Sequence, residues 1–158
     1  MSEQHSPPAD VVRDYALAKS RADVQEALRY CGTDAVFETI AFQAVATGID
    51  EVARQTAAFL RTFPDYGVEL EYLAAADDLV VGAGTIRATM TQSLVGIEPT
   101  GRAFALPFAC HWRVRDGLIA HERFFFDLHQ MCEQLGLATA AVAARFAAWR
   151  ERAQAVAR

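Results

Sequence analysis

Residues 116–137 limit the folds open to this chain more than any other stretch. Asp116-Gly117 is a turn pair in which Gly supplies the positive φ of a tight hairpin. A strand over 104–115 precedes it and another over 118–126 follows. Asp127 then stands as an N-cap, with Gln130 at N3 in capping-box spacing. The short helix after it stops at Gly136, a good C′ residue. The unit is a long hairpin followed by a capped helix, and function is expected on the inward face of its last strand.

Upstream, the polar residues 1–8 read as a flexible arm that ends where Pro7-Pro8 open a helix, with Val11, Val12, Tyr15 and Ala18 on one face. Asp23 starts a second helix, ended by Gly32. A short strand spans 35–40, and a loop runs to Gly48. A third helix has Asp50 and Glu51 in its first turn, where they suit the dipole, and an apolar face of Val52, Phe59, Leu60 and Phe63 ending at Pro64. Strands over 68–73 and 79–92 follow, the second carrying Gly82 and Gly84, which suggest a bend or bulge. Helices first and a strand meander after them indicate an α+β domain. The expected form is a cone-shaped, curved antiparallel sheet closed by N-terminal helices over 9–136, with a pocket inside. Residues 137–158 read as an extra amphipathic C-terminal helix with Val142, Phe146, Trp149 and Val156 on one stripe. It packs on its own domain, lids the pocket or contacts a second copy in a homodimer.

Composition sets the class. The length of 158 residues suits one domain, and 53% hydrophobic content is ample for a core. A formal charge of −5 without a basic run argues against a nucleic-acid partner. No stretch has the run of apolar residues that a membrane span needs. Cys31, Cys110 and Cys132 form neither a CxxC nor a metal-ligand spacing, so no metal is expected, and the setting is a reducing cytoplasm. No Gly-rich loop fits a phosphate, and no cofactor is called for.

Several segments taken together resemble a known family: Pro99-Thr100-Gly101-Arg102, residues 113–119, Phe125-Phe126-Asp127 and Gln134-Leu135-Gly136. With their spacing they resemble the SnoaL-like polyketide cyclases of the nuclear-transport-factor-2-like superfamily, to which ketosteroid isomerase and limonene-epoxide hydrolase also belong. The likeness extends over about 11–136 and is specific for fold, not for reaction. It implies catalytic positions that this chain fills differently. Phe124 stands where the related cyclases and the epoxide hydrolase carry a catalytic aspartate. Thr39 stands at the isomerase's aspartate base, and Arg87-Ala88-Thr89 at the hydrolase's Arg-x-Asp. Cys110 takes the place of the cyclase's histidine. Tyr15 matches the isomerase's oxyanion-stabilising tyrosine.

Alternation across the last strand places Ala120, Glu122 and Phe124 on one face, and His121, Arg123 and Phe125 on the other. Glu122 is then a pocket-facing acid beside apolar rings, able to act as general acid or base, or else it is an ion-pair partner of Arg87 or Arg113. Tyr15 is an oxyanion donor or a helix tyrosine packed on the sheet. Cys110 could hydrogen-bond a substrate oxygen, and Arg87 could orient Glu122 or the substrate. Glu38, His111 and His121 are expected on the outer face. Phe37, Leu106, Phe108, Trp112, Phe124 and Phe126, with Thr39 and Thr89, would line an aromatic site for a hydrophobic small molecule. Three functions fit: a cofactor-independent cyclase or isomerase using Tyr15, Glu122, Arg87 and Cys110; a non-catalytic binder of a polyketide-, terpenoid- or steroid-like ligand; or a dimeric accessory subunit.

Overall fold

The structure is a computed structural model that describes residues 6–158. Most of the expected arm, residues 1–5, lies outside the described residues. Pro7 occupies the N-cap of α1 (Pro8–Ser20), whose buried face is Val11, Val12, Tyr15, Ala16 and Ala18. Asp23 caps α2 (Val24–Leu28) by accepting from the Glu26 amide at 3.0 Å. This helix is shorter than the spacing predicts, because Cys31 already begins β1 (Cys31–Thr39). A 3₁₀ turn at Ile40–Phe42 leads into β2 (Ala44–Thr47), an edge strand in the region read as loop. Its inward residues are only Ala44 and Ala46, too small to stand out as an alternating pattern. Gly48 turns the chain with φ 85° into α3 (Ile49–Thr62), and Glu51 reaches back to accept from the Thr47 amide at 2.9 Å.

The meander comprises β3 (Gly67–Ala76), β4 (Leu79–Thr89), β5 (Ala103–Arg115) and β6 (Leu118–Phe126), followed by α4 (Leu128–Leu135) and α5 (Thr139–Val156). Asp116 and Gly117 both have positive φ, as a tight hairpin turn requires. Asp127 accepts from the Gln130 amide at 2.9 Å, and Gly136 closes α4 with φ 74°. The strand order is β2-β1-β6-β5-β4-β3. The sheet is mixed, not wholly antiparallel, since β1 runs parallel to β6. The meander leaves one edge of β6 open, and β1 enters from α2 alongside the start of that strand.

Curvature comes from bulges and glycine. Register slips on β3 between Leu70 and Tyr72, opposite Gly84, where any Cβ would run into the Glu69 carbonyl. The lost side chain at Gly84 is what lets β3 close over β4. The far end of β5 extends beyond β6, and there the Gln134 side chain substitutes for a neighbouring strand. Its amide accepts from the Ala105 N–H at 2.8 Å and donates to the Ala105 carbonyl at 3.2 Å. Pro107, two residues on, has no N–H to satisfy on that same edge. Helices and bent sheet together enclose one continuous apolar core. Among the described residues no helix is long and apolar enough to cross a membrane.

Candidate functional site

The inward face of the sheet, α3, the loop after β4 and the first part of α5 surround a cavity of about 770 Å³. Its walls are largely aromatic and aliphatic: Phe37, Phe42, Phe59, Phe104, Phe126, Phe146 and Trp149 among them. Thr91, Gln92 and Ser93 on the loop and Gln55 on α3 add polar points. Phe146 stacks on Phe42 with ring centroids 4.1 Å apart, and Arg150 donates to the Phe42 carbonyl at 2.9 Å. The start of α5 is therefore part of the wall.

Glu122 lines this cavity although only 4% exposed. Trp112, its register partner on β5, donates Nε1–H to Glu122 Oε2 at 2.8 Å. No described residue bonds Oε1, and that oxygen is not among the fully enclosed unpaired atoms, so it opens on the cavity. Neither arginine considered as a partner reaches Glu122: Arg87 pairs with Glu69 at 3.7 Å and Arg113 with Asp78 at 2.8 Å. The inward position of Glu122 also depends on a bulge. Register slips at Ala120, so Ile119, Glu122 and Phe124 are buried, and Ala120 does not share their face.

Phe37, Thr39 and Phe124 line the cavity with Glu122. Phe108 and Trp112 do not; they form a layer behind it, Phe108 stacked on Phe124 at 5.1 Å and Trp112 holding the acid. Leu106 is likewise buried beneath the lining. Arg87 and Thr89 face outward, because β4 turns Val80, Gly82, Gly84, Ile86 and Ala88 inward. Arg87 is therefore not an orienting residue for the site. Thr89 instead holds the turn after α3, its hydroxyl donating to Asp65 at 2.6 Å and its amide at 2.7 Å. On the outer face Glu38 meets His121 at 2.7 Å and Arg123 at 3.0 Å.

Tyr15 and Cys110 are buried behind the lining, so they do not converge with Glu122 on the open cavity. Tyr15 packs edge-on to Phe37, and its hydroxyl has no hydrogen-bond partner. Burial, with the Glu122 charge adding to it, pushes the Tyr15 phenol well above its ordinary range. The same two causes raise the Cys110 thiol, which donates to the His111 carbonyl, and hold the Cys31 thiol at about 12. These groups stay neutral at physiological pH; Tyr15 can donate a hydrogen bond but is no base there.

Sequence reasoning passed over Lys19. It lines the cavity, with Nζ 5.7 Å from the ring centroids of Tyr15, Tyr66 and Phe124. The signal was available, since Lys19 lies one helical turn beyond Tyr15 on α1 and shares its face. Among the described residues no three His, Cys, Asp or Glu side chains gather as metal ligands.

Comparison with known proteins now decides the family. The model of the SnoaL-like polyketide cyclases matches residues 9–135. The chain belongs to the SnoaL-like polyketide cyclase family. Solved structures agree on the fold. A protein of Jannaschia sp. CCS1 assigned to the SnoaL-like polyketide cyclases superposes with a TM-score of 0.76 at 17% identity, covering 87% of this chain and 99% of its own. IdmH of Streptomyces antibioticus, assigned as a polyketide cyclase, gives 0.72 at 23% identity, covering 84% and 100%. A ketosteroid isomerase-like protein of Catenulispora acidiphila, solved with trimethylamine, gives 0.74 at 19% identity, covering 83% and 95%. No curated protein matches by sequence. Within this SnoaL-like scaffold the buried, cavity-lining carboxylate on β6 is Glu122, while the ring of Phe124 takes the place that the resemblance implies for an aspartate.

Proposed function

We propose that this SnoaL-like protein is a cofactor-independent proton-transfer enzyme, a cyclase or isomerase, acting on a hydrophobic carbonyl compound. The observation that carries this reading is Glu122: a buried carboxylate with one oxygen fixed by Trp112 and the other open to an aromatic cavity. A carboxylate held in this way can take a proton from carbon and return it without leaving its geometry. In a cyclisation the α C–H bond breaks, its proton passes to Glu122 and its electron pair to the enolate oxygen. The enolate carbon then bonds a second carbonyl carbon of the same molecule, and the alkoxide so formed takes the proton from Glu122. In an isomerisation the proton returns to a different carbon. Both sequences end with Glu122 as it began.

The Catenulispora neighbour was solved with a small amine. Here the rings of Tyr15, Tyr66 and Phe124 face the protein's own Lys19, whose charge disfavours a second cation beside it. An oxygen-bearing ligand therefore suits this cavity better. The three free, buried cysteines fit a reducing compartment such as the cytoplasm.

The test is solvent deuterium uptake at the α-carbon of 1-tetralone, followed by NMR. The protein should accelerate exchange, and Glu122→Gln should remove about 10²–10⁴-fold of that acceleration while ketone binding, read from tryptophan fluorescence, persists. Undiminished exchange in Glu122→Gln would exclude this carboxylate as the proton carrier. Binding without exchange in the unaltered protein would leave a ligand-binding protein, the reading favoured by Phe124, Thr39 and Thr89 at the relatives' acidic positions.

A further inference from the structure

Lys19 is the only lysine in the chain; its other basic side chains, histidine apart, are arginines. Its placement is unusual for a surface cation. It lines the cavity, is only part-exposed, and lies at one distance, 5.7 Å, from the rings of Tyr15, Tyr66 and Phe124. Aromatic faces offset part of the cost of holding a cation away from water. They do not use its N–H donors, and an ammonium has three. Among the described residues none accepts from Nζ, and no carboxylate of theirs lies within ion-pair distance.

Glu122 lines the same cavity. It lies on the same strand face as Phe124, over which Lys19 is poised. The two charges also act on the same buried thiols, Cys31 and Cys110, the carboxylate disfavouring and Lys19 favouring their ionisation. A base and an unpaired cation thus face one apolar space without neutralising each other by contact. Proton abstraction next to a carbonyl needs this pair of functions, because charge that leaves carbon accumulates on oxygen.

We propose that Lys19 is the oxyanion-holding catalytic residue of this site, and that the substrate class is an enolisable ketone or 1,3-dicarbonyl compound whose enolate oxygen bonds Nζ. The proposal rests on the reading of Glu122 as proton carrier. Tyr15 cannot take this part directly, since it lies behind the cavity lining with Lys19 folded over its ring. The compact, rotatable ammonium can follow an oxygen as it gains charge, where a guanidinium would present a planar fork.

The probe is 4-nitro-1-naphthol, an oxyanion at neutral pH with a fused-ring body, compared with its methyl ether. The unaltered protein should bind the naphtholate more tightly than the ether. Lys19→Met should weaken naphtholate binding by about tenfold or more and leave ether binding unchanged, and Lys19→Arg should restore part of the difference. Equal loss for both ligands, or no loss for either, overturns the assignment. A second readout needs no substitution. In protein labelled with ¹⁵N-lysine the single Nζ resonance should move on adding naphtholate and stay in place on adding the ether; a resonance that ignores naphtholate overturns the assignment as well. The two readings fail separately. Loss of naphtholate preference in Lys19→Met beside undiminished deuterium exchange in Glu122→Gln would retain the oxyanion site and remove the proton carrier. The reverse pattern would retain Glu122 and remove Lys19.

Discussion

At the scale of single residues, the site depends on how one buried carboxylate is held. Trp112 is the only hydrogen-bond donor to Glu122 among the described residues. Trp112→Phe keeps the aromatic packing but leaves that oxygen without its donor, which should cost about 1–3 kcal/mol in urea unfolding. The cost should shrink in a Glu122→Gln background, where the acceptor is neutral, and equal costs in both would show that the carboxylate charge adds nothing to the bond. A second prediction concerns alkali. The Cys31 thiol is raised by burial, then by the Glu122 charge, from 9.0 to about 12, with Lys19 opposing. Below pH 9 folded and unfolded thiols are both protonated and the shift has no effect. Between about pH 9 and 12 the unfolded thiol ionises first, so stability falls as pH rises. Tyr15, Tyr66 and Cys110 are shifted in the same direction and steepen the fall. The urea midpoint of Cys31→Ala should therefore decline less steeply with pH than that of the unaltered chain; parallel declines would contradict the assignment. Residue-level legibility divides by range. Asp116-Gly117, Asp127 and Gly136 act on backbone a few positions away, so the sequence displays their roles. The partner of Glu122 comes from another strand, and its facing was reached from simple alternation although a bulge at Ala120 intervenes.

At the scale of elements, the sheet's shape depends on places where regular pairing is broken. Gly84 sits under the β3 bulge, and a Cβ there would meet the Glu69 backbone, which cannot rotate away as a side chain could. Gly84→Ala should destabilise the fold by about 3 kcal/mol, read as a lower denaturant midpoint. Gly67→Ala, where nothing lies near the added carbon, should have little effect by comparison. The glycines therefore did report curvature, as residues that are costly in a flat strand. What they could not report was the bulge on the partner strand, because register is a property of two segments. The same limit explains β2, whose inward side chains are alanines. It also explains Arg87: similarity to an Arg-x-Asp pattern suggested a site residue, but the alternation of β4 directs that side chain to Glu69 and solvent.

At the scale of the whole molecule, the cavity is completed by a helix that lies beyond the region matched to the family. Three uses of the tail were open from sequence, and packing separates its first part, as far as Trp149, from the rest. Val142 and Phe146 are buried and Trp149 lines the cavity, whereas the stripe expected to continue to Val156 ends in solvent, that residue being 89% exposed. The first part thus seals hydrophobic surface that the cone alone would expose, and its removal should act on ligand binding as well as on stability. Phe146→Ala deletes the ring stacked on Phe42 and should cost about 3 kcal/mol. It should also weaken binding of 1-tetralone, since the wall is breached on that side. Truncation after residue 151 removes only exposed positions and should leave both stability and binding unchanged. Light scattering on the same two proteins addresses association. If truncation after 151 alters the oligomeric state with ligand binding intact, the distal part of α5 is a surface for a second copy. If only Phe146→Ala changes behaviour, and does so through binding and stability, α5 belongs to the pocket of its own chain. Packing favours the second outcome, because every large apolar residue in the first part of the helix faces the cavity or the core beside it.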